Sequence, residues 1–195
     1  LINLLRGAGS TGLRGMQPKN GNIIRPLLNV SRVEIVDYCR QQQLAYRIDQ
    51  SNFTTDYLRN RLRWELLPLL ERDYNPNIKE ILWRTALLAA DEHDFLRQQA
   101  GKFWPELVTE TADKLIIDTL RLSSLHIALQ REILRLAIEK KRGSLTGITF
   151  LHVEKLIWLN ENGRVGAIIE LPGGILALKS YNRIELAAEL PGSPL

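Results

Sequence analysis

Seven turn-forming residues crowd the first 26 positions: Gly7, Gly9, Gly12, Gly15, Pro18, Gly21 and Pro26. They constrain the fold more than any other feature of the chain. A glycine costs roughly 1 kcal/mol in a helix interior and a proline about 3. No long helix therefore fits within "RGAGSTGLRGMQPKNGN". Gly7, Gly9 and Gly12 also spell GxGxxG, the fingerprint of a dinucleotide-binding turn. That turn needs a strand before it, a helix opening at the glycines, and an acidic residue about 20 residues on. The upstream residues Leu1 to Leu5 are too few to tell strand from helix. Downstream, a helix from Gly12 would have to run through Gly15, Pro18 and Gly21. The stretch reads as a loop, and a pyrophosphate finds no helix N-terminus there. Two readings stay open. One is a helix that ends near Arg6 with Gly7 as its cap. The other is a glycine loop that lets a substrate approach the backbone closely.

A chain of 195 residues can bury a real core in one or two domains. Hydrophobic residues make up 45% and charged residues 25%, the balance of a soluble globular protein. The single cysteine, Cys39, excludes an intramolecular disulfide framework and points to a reducing compartment. It is expected to be a buried structural thiol on a helix. No apolar run reaches the length of a membrane span, and no signal peptide is visible. The first residue is not methionine, so the chain is expected to be a fragment. Charge is unevenly spread. Residues 1–63 carry ten Lys/Arg against four Asp/Glu, and nine of the ten cations are arginine. The planar arginine fork suits phosphates. That third of the chain is the candidate for contacting polyanions, and an arginine-rich solvated surface is the open alternative.

Further along, Ile23-Ile24 reads as a strand end with Pro26 as the exit from it. Ser31 and Glu34 form a capping-box pattern that opens a helix ending among Gln41, Gln42 and Gln43. "LAYRID" alternates as a short strand would. Thr54 or Thr55 is expected to cap a helix through Tyr57, Leu58 and Leu62, interrupted at Pro68. Asn75 and Pro76 open the next. That helix should reach about Lys102, with Ile78, Ile81, Leu82, Leu88, Phe95 and Leu96 on its apolar stripe. "KLIID" reads as a strand. Ser123 or Ser124 should cap a helix that stops at "EKKRG", and "TGITFLHVEKLIWLNENG" gives another. Strands around Pro172-Gly173-Gly174 and Tyr181-Asn182 make a small antiparallel meander. The stretch from Pro68 to Pro76 is the expected domain boundary.

His93, His126 and His152 stand isolated on different predicted helices, without metal-ligand spacing, so structural roles are expected. "ADEHD" at residues 90–94 reads as a solvated helical face. The more informative stretch is "YLRNRLR". On a helix Arg59 and Arg63 share one face at i and i+4, Asn60 lies beside it, and Leu58 and Leu62 mark the buried side. Two guanidinium forks and an amide form a cradle for phosphate. They equally suit a brace onto Asp49 or Asp56. Arg61 reads as a surface charge.

Four stretches in one order, "LLRGAGSTGLRGM", "IIRPLL", "DQSN" and "YLRNRLRWELLPLL", resemble the bacterial tRNA(Ile)-lysidine synthetase family. That family's pattern is R-G-x-G-x-x-G-L-x-G-M, R-P-L-L, D-x-S-N and R-N-x-x-R-x-x-x-L-P-x-L, and the match spans roughly residues 1–70. Residues 73–195 fit its following domain without a sharp motif. The implied fold is α/β and mostly helical. Residues 1–72 would be the C-terminal part of a Rossmann-like PP-loop ATP pyrophosphatase domain. Residues 73–195 would be a helical linker and a small α/β tRNA substrate-binding domain.

The resemblance implies a cytoplasmic ligase. It would use ATP and Mg2+ to adenylate the wobble cytidine of tRNA(Ile) with anticodon CAU, and L-lysine would then displace AMP. Arg6, Gly7, Gly9, Gly12 and Gly15 would form the loop beside the adenylate and lysine pocket. Arg59, Arg63 and Asp49 would serve catalysis, and Arg25, Asn52 and Asn60 would line or brace the site. A homodimer stays open. The family's SGGxDS and HxxDDxxET motifs are absent from these residues, so the chain is expected to begin just after the second and to be inactive alone. Another PP-loop tRNA-modifying enzyme and a non-catalytic tRNA-binding module are the alternatives. Cys39 alone argues against a cysteine-pair thiolase.

Overall fold

The computed structural model describes residues 1–7, 9–47, 54 and 57–188. The chain divides into two compact units, 1–90 and 91–195.

In the first unit, α1 (Ile2–Leu5) stops at Gly7, whose φ of +74° only glycine adopts without strain. The helix end expected at this stretch is observed. A four-residue helix, α2 (Ser10–Leu13), follows, and the Asn3 amide ties the two by donating to the Gly12 carbonyl at 2.8 Å. β1 (Lys19–Asn20) and β2 (Ile23–Ile24) close a minimal hairpin. The capping box at Ser31 and Glu34 forms as its spacing demands. The Glu34 amide donates to Ser31 Oγ at 3.2 Å and the Ser31 amide to Glu34 Oε2 at 2.8 Å. It opens α3 (Arg32–Gln41), on which Cys39 is half-buried and free.

Residues 44–47 form no strand, contrary to the alternation reading, and 48–49 lie outside the described residues. Pro68 does not interrupt the helix it was expected to break. α4 (Leu58–Arg61) runs through a π-helical turn (Leu62–Leu66) into α5 (Leu67–Asp73). There the Leu67 amide bonds the Leu62 carbonyl five residues back. A wider turn before the proline relieves its ring from the carbonyl four residues earlier. Tyr57 occupies the N-cap without a side-chain bond; Thr54 does not cap this helix, and Thr55 lies outside the described residues. The Asn75 side chain accepts from the Asn77 amide at 2.8 Å just before α6 (Ile78–Leu107). The division between the units falls within α6, five residues longer than its expected end. Ile81, Leu88 and Phe95 of the expected stripe are exposed, and Ala89, His93 and Ala100 are buried instead.

The second unit is a five-stranded antiparallel sheet in the order β3-β4-β7-β6-β5, with helices packed against it. Its strands are β3 (Val108–Glu110), β4 (Lys114–Asp118), β5 (Ile168–Leu171), β6 (Ile175–Ser180) and β7 (Arg183–Ala187). Its further helices are α7 (Thr119–Ser123), α8 (Ile127–Arg142) and α9 (Phe150–Asn162). Alternation aims Leu115 and Ile117 of β4 and Ile184 and Leu186 of β7 inward. They meet Ile133, Leu134 and Ile138 of α8 and Val153, Leu156 and Leu159 of α9 in one continuous core.

α8 is capped by His126, not Ser123 or Ser124, which end α7 and follow it. Gly143 stops α8 at φ +79°, as the "EKKRG" pattern requires. His152 completes the N-terminal box of α9 with Thr149. No described helix is long and apolar enough to cross a membrane.

Candidate active site

The glycine stretch presents Arg6 as the exposed cap residue of α1, Gly7 and Gly9 as exposed backbone, and Gly12 half-buried inside α2. Gly15 has φ +64°, and a Cβ there would rest in ordinary contact on Ala86. Conformation rather than lack of room explains that glycine. Arg25 acts as a brace. Its Nη1 donates to the Gln17 carbonyl at 3.1 Å, and its amide donates to the Pro18 carbonyl at 2.8 Å. The Gln17 amide side chain in turn bonds the Arg14 carbonyl. The loop after α2 is thus held by its own polar groups.

Arg59 and Arg63 are both exposed, and neither finds a carboxylate among the described residues. The π-helical turn starts between them at Leu62, so four residues no longer make one α-helical step around the axis. Their shared face is looser than simple α-helical spacing implies. Arg61 pairs with Glu65 at 3.8 Å on the surface. Leu62 is buried, but Leu58, expected beside it, is exposed.

Asn60 is the buried polar residue of this segment, and its Nδ2 donates to the Thr54 carbonyl at 2.7 Å. It ties the residue ahead of the helix to the helix itself. Asp49 and Asn52 lie outside the described residues. Among the described residues no hydrogen bond or ion pair joins the glycine stretch to residues 57–73. An open apolar cavity of about 460 Å³ lies along Leu58, Leu62, Leu66 and Leu69, with Arg61 and Glu65 lining it.

No described group of three His, Cys, Asp or Glu side chains could hold a metal ion. His126 and His152 serve as cap residues. His93 is buried in α6, so "ADEHD" is not a solvated face throughout.

The second unit holds one residue that pattern reading passed over. Lys179 shares the inward face of β6 with Ile175 and Ala177 and is only 7% exposed. Its Nζ donates to the Asn160 carbonyl at 3.0 Å and lies 3.4 Å from Thr119 Oγ1. Burial pushes its pKa below the ordinary lysine value. The period-two pattern of "ILALKS" was the available signal.

Similarity to known proteins agrees with the order of the motifs. A PP-loop domain family matches residues 1–70. A tRNA(Ile)-lysidine synthase of Caldanaerobacter subterraneus is 34% identical over 94% of this chain and 39% of its own length. Proteins of the same name from Dehalococcoides mccartyi and Geobacter sulfurreducens are 36% and 38% identical. They align with 88% and 100% of this chain and with 38% and 42% of themselves. The chain is a relative of the tRNA(Ile)-lysidine synthases. It spans about two fifths of the length of these relatives. The lysidine synthase similarity continues through the second unit, where the chain itself offers no sharp motif.

Proposed function

We propose that these residues belong to a ligase that attaches lysine to the wobble cytidine of tRNA(Ile) with anticodon CAU, in the cytoplasm. The observation that carries this reading is similarity to lysidine synthases over 94% of the chain. ATP supplies the activation, because cytosine's C2 oxygen leaves poorly until AMP is attached and the lysine amine can displace it.

The chain's own residues have the simpler task of binding and orienting. In this reading residues 1–72 complete a PP-loop domain, and residues 73–195 form a linker and a tRNA-binding domain. Arg59 and Arg63 hold phosphate through charge-assisted, forked hydrogen bonds. Their exposure and lack of a described carboxylate partner support that role. Asp49 and Asn52 position them or the lysine amine. The backbone from Arg6 to Gly15 lets the substrate approach closely, with Arg25 and Asn60 as braces. The Mg2+ that accompanies ATP finds no ligand set among the described residues, and no step is assigned to it.

Arg63→Glu, made in a longer enzyme that carries these residues with the phosphate loop, should abolish lysine incorporation into CAU tRNA. Retained incorporation would remove the phosphate role. The 195 residues by themselves should release no pyrophosphate from ATP. The second reading, a tRNA-binding module without catalysis, is favoured by one observation: residues 1–63 carry ten Lys/Arg against four Asp/Glu. Filter binding separates the two, since a steep salt slope with no dependence on ATP would mark the module.

A further inference from the structure

The tip of the β6–β7 hairpin is built in an unfavourable way. Ser180 pairs with Arg183, so Tyr181 and Asn182 make a two-residue turn. Tyr181 has φ +41°, a conformation that tight hairpins usually assign to glycine or asparagine. It is the one non-glycine at positive φ among the described residues of the second unit. The neighbouring β5–β6 turn obeys the usual rule with Gly173 and Gly174 at φ +89° and +74°.

The side chain held in this posture is not packed away, because Tyr181 is 80% exposed. An aromatic residue kept in a strained turn without burial adds no core packing, and outliers of this kind cluster at functional sites.

Its surroundings carry positive charge. Arg183 follows in the same turn and is exposed, and its register partner on the other side is Asp118. Arg121 is exposed on α7, where Asp118 lies 3.9 Å from its Nε and its Nη1 donates to the Glu106 carbonyl at 3.0 Å. The Asn182 carbonyl accepts from the Thr119 amide at 3.0 Å, which fixes the tip to this corner. Behind Thr119 sits Lys179, whose described partners are neutral oxygens. Two exposed arginines, Arg183 and Arg121, thus stand at this corner near Asp118, with Lys179 buried behind them.

We propose that the Tyr181 ring stacks on an unpaired base of RNA while Arg183 and Arg121 contact the flanking phosphates. Stacking on aromatic side chains and backbone contact by arginine are the usual elements of such a surface. An unpaired base is required because a protruding ring needs a free π-face. The inference rests on the tRNA reading above and names where the second unit would touch that RNA.

The test measures binding of a longer enzyme that carries these residues, the parent, to a tRNA with anticodon CAU, to a single-stranded loop and to a duplex of the same composition. Tyr181→Gly should weaken binding to the tRNA and the loop about five- to a hundredfold, raise the melting temperature by relieving the turn, and leave the salt slope unchanged. Tyr181→Phe should bind as the parent does. Arg183→Gln should reduce the salt slope by about one. Tyr181→Gly binding as tightly as the parent would overturn the inference alone, including the case where the tip meets a protein. Absence of tRNA binding by the parent chain would overturn the tRNA reading itself, and this inference with it. Preference for the duplex would also overturn the stacking role.

Discussion

The two units differ in how much apolar core they close: both expose large hydrophobic residues, such as Leu88 in one and Leu151 in the other, but only one buries many. Residues 91–195 bury Ile117, Leu122, Ile133, Leu134, Leu156, Leu159, Ile184 and Leu186 completely or nearly so. In residues 1–90 the described hydrophobic residues that reach burial are Leu62 and Ala89, while Leu4, Leu5, Ile23, Ile24, Leu27, Val33, Leu87 and Leu88 stay exposed. Composition does not explain the difference, since both units are rich in leucine and isoleucine. Topology does. A five-stranded sheet covered by α8 and α9 closes a core from its own residues, whereas short helices joined by glycine turns leave apolar faces open. The unit that resembles a PP-loop domain is the one whose described residues close less of a core of their own. The motif-poor unit is the one that stands as a finished core.

The largest effect expected from this contrast concerns Leu156. Leu156→Ala should destabilise the second unit by about 2–5 kcal/mol, because the cavity it leaves is closed on all sides. Leu4→Ser or Leu87→Ser should change stability by less than about 0.5 kcal/mol. Urea unfolding followed by residue-resolved hydrogen exchange measures both, and equal losses would break the contrast.

A smaller effect concerns Lys179. Its folded pKa lies below the unfolded value near 10.5, so between the two the unfolded chain binds more protons. Stability should therefore rise with pH in that window, by at most about 1.4 kcal/mol per pH unit. Lys179→Met should remove this alkaline gain, as urea melts at several pH values would report. A slope shared by both forms would contradict the assignment.

The smallest effect belongs to the first unit. Ser31→Ala should cost α3 about 1 kcal/mol. The Ser31 bonds hold the Glu34 carboxyl below its usual pKa of 4.5. Its contribution is present above that value and is lost as pH falls through the folded pKa. The far-UV circular dichroism difference between parent and Ser31→Ala should narrow in acid without vanishing, because the Ser31 Oγ cap on the Glu34 amide does not titrate; a difference unchanged by pH would show that the Ser31 hydroxyl does not act on the Glu34 carboxyl.

Local chemistry was legible in the residues, and long-range packing was not. Ser31 with Glu34, Gly143 after its three cations, and the turn at Gly173-Gly174 each declare an element end through bonds or φ values that few residues supply. "KLIID" also showed its strand through alternation. The π-helical turn stayed hidden because it depends on how Leu62 and Pro68 are accommodated together, which no period reveals. His126 displaced Ser123 and Ser124 as cap because α7 uses those serines at its own end. In the candidate site, Arg59 and Arg63 were readable as a helical pair, but spacing alone left a phosphate cradle and a brace onto Asp49 or Asp56 equally open. The burial of Asn60 was not readable, since it follows from a bond to the Thr54 carbonyl outside the helix. Lys179 was missed because a lysine in a strand is ordinarily taken as solvent-facing.

The central claim is ATP-driven attachment of lysine to tRNA. Its most direct test follows AMP, pyrophosphate and tRNA-bound lysine together, in a longer enzyme containing these residues and the phosphate loop. The account predicts that the three appear in equal amounts, and only when ATP, lysine and tRNA(Ile) with anticodon CAU are all present. Tight tRNA binding with no ATP consumed and no lysine attached would contradict it.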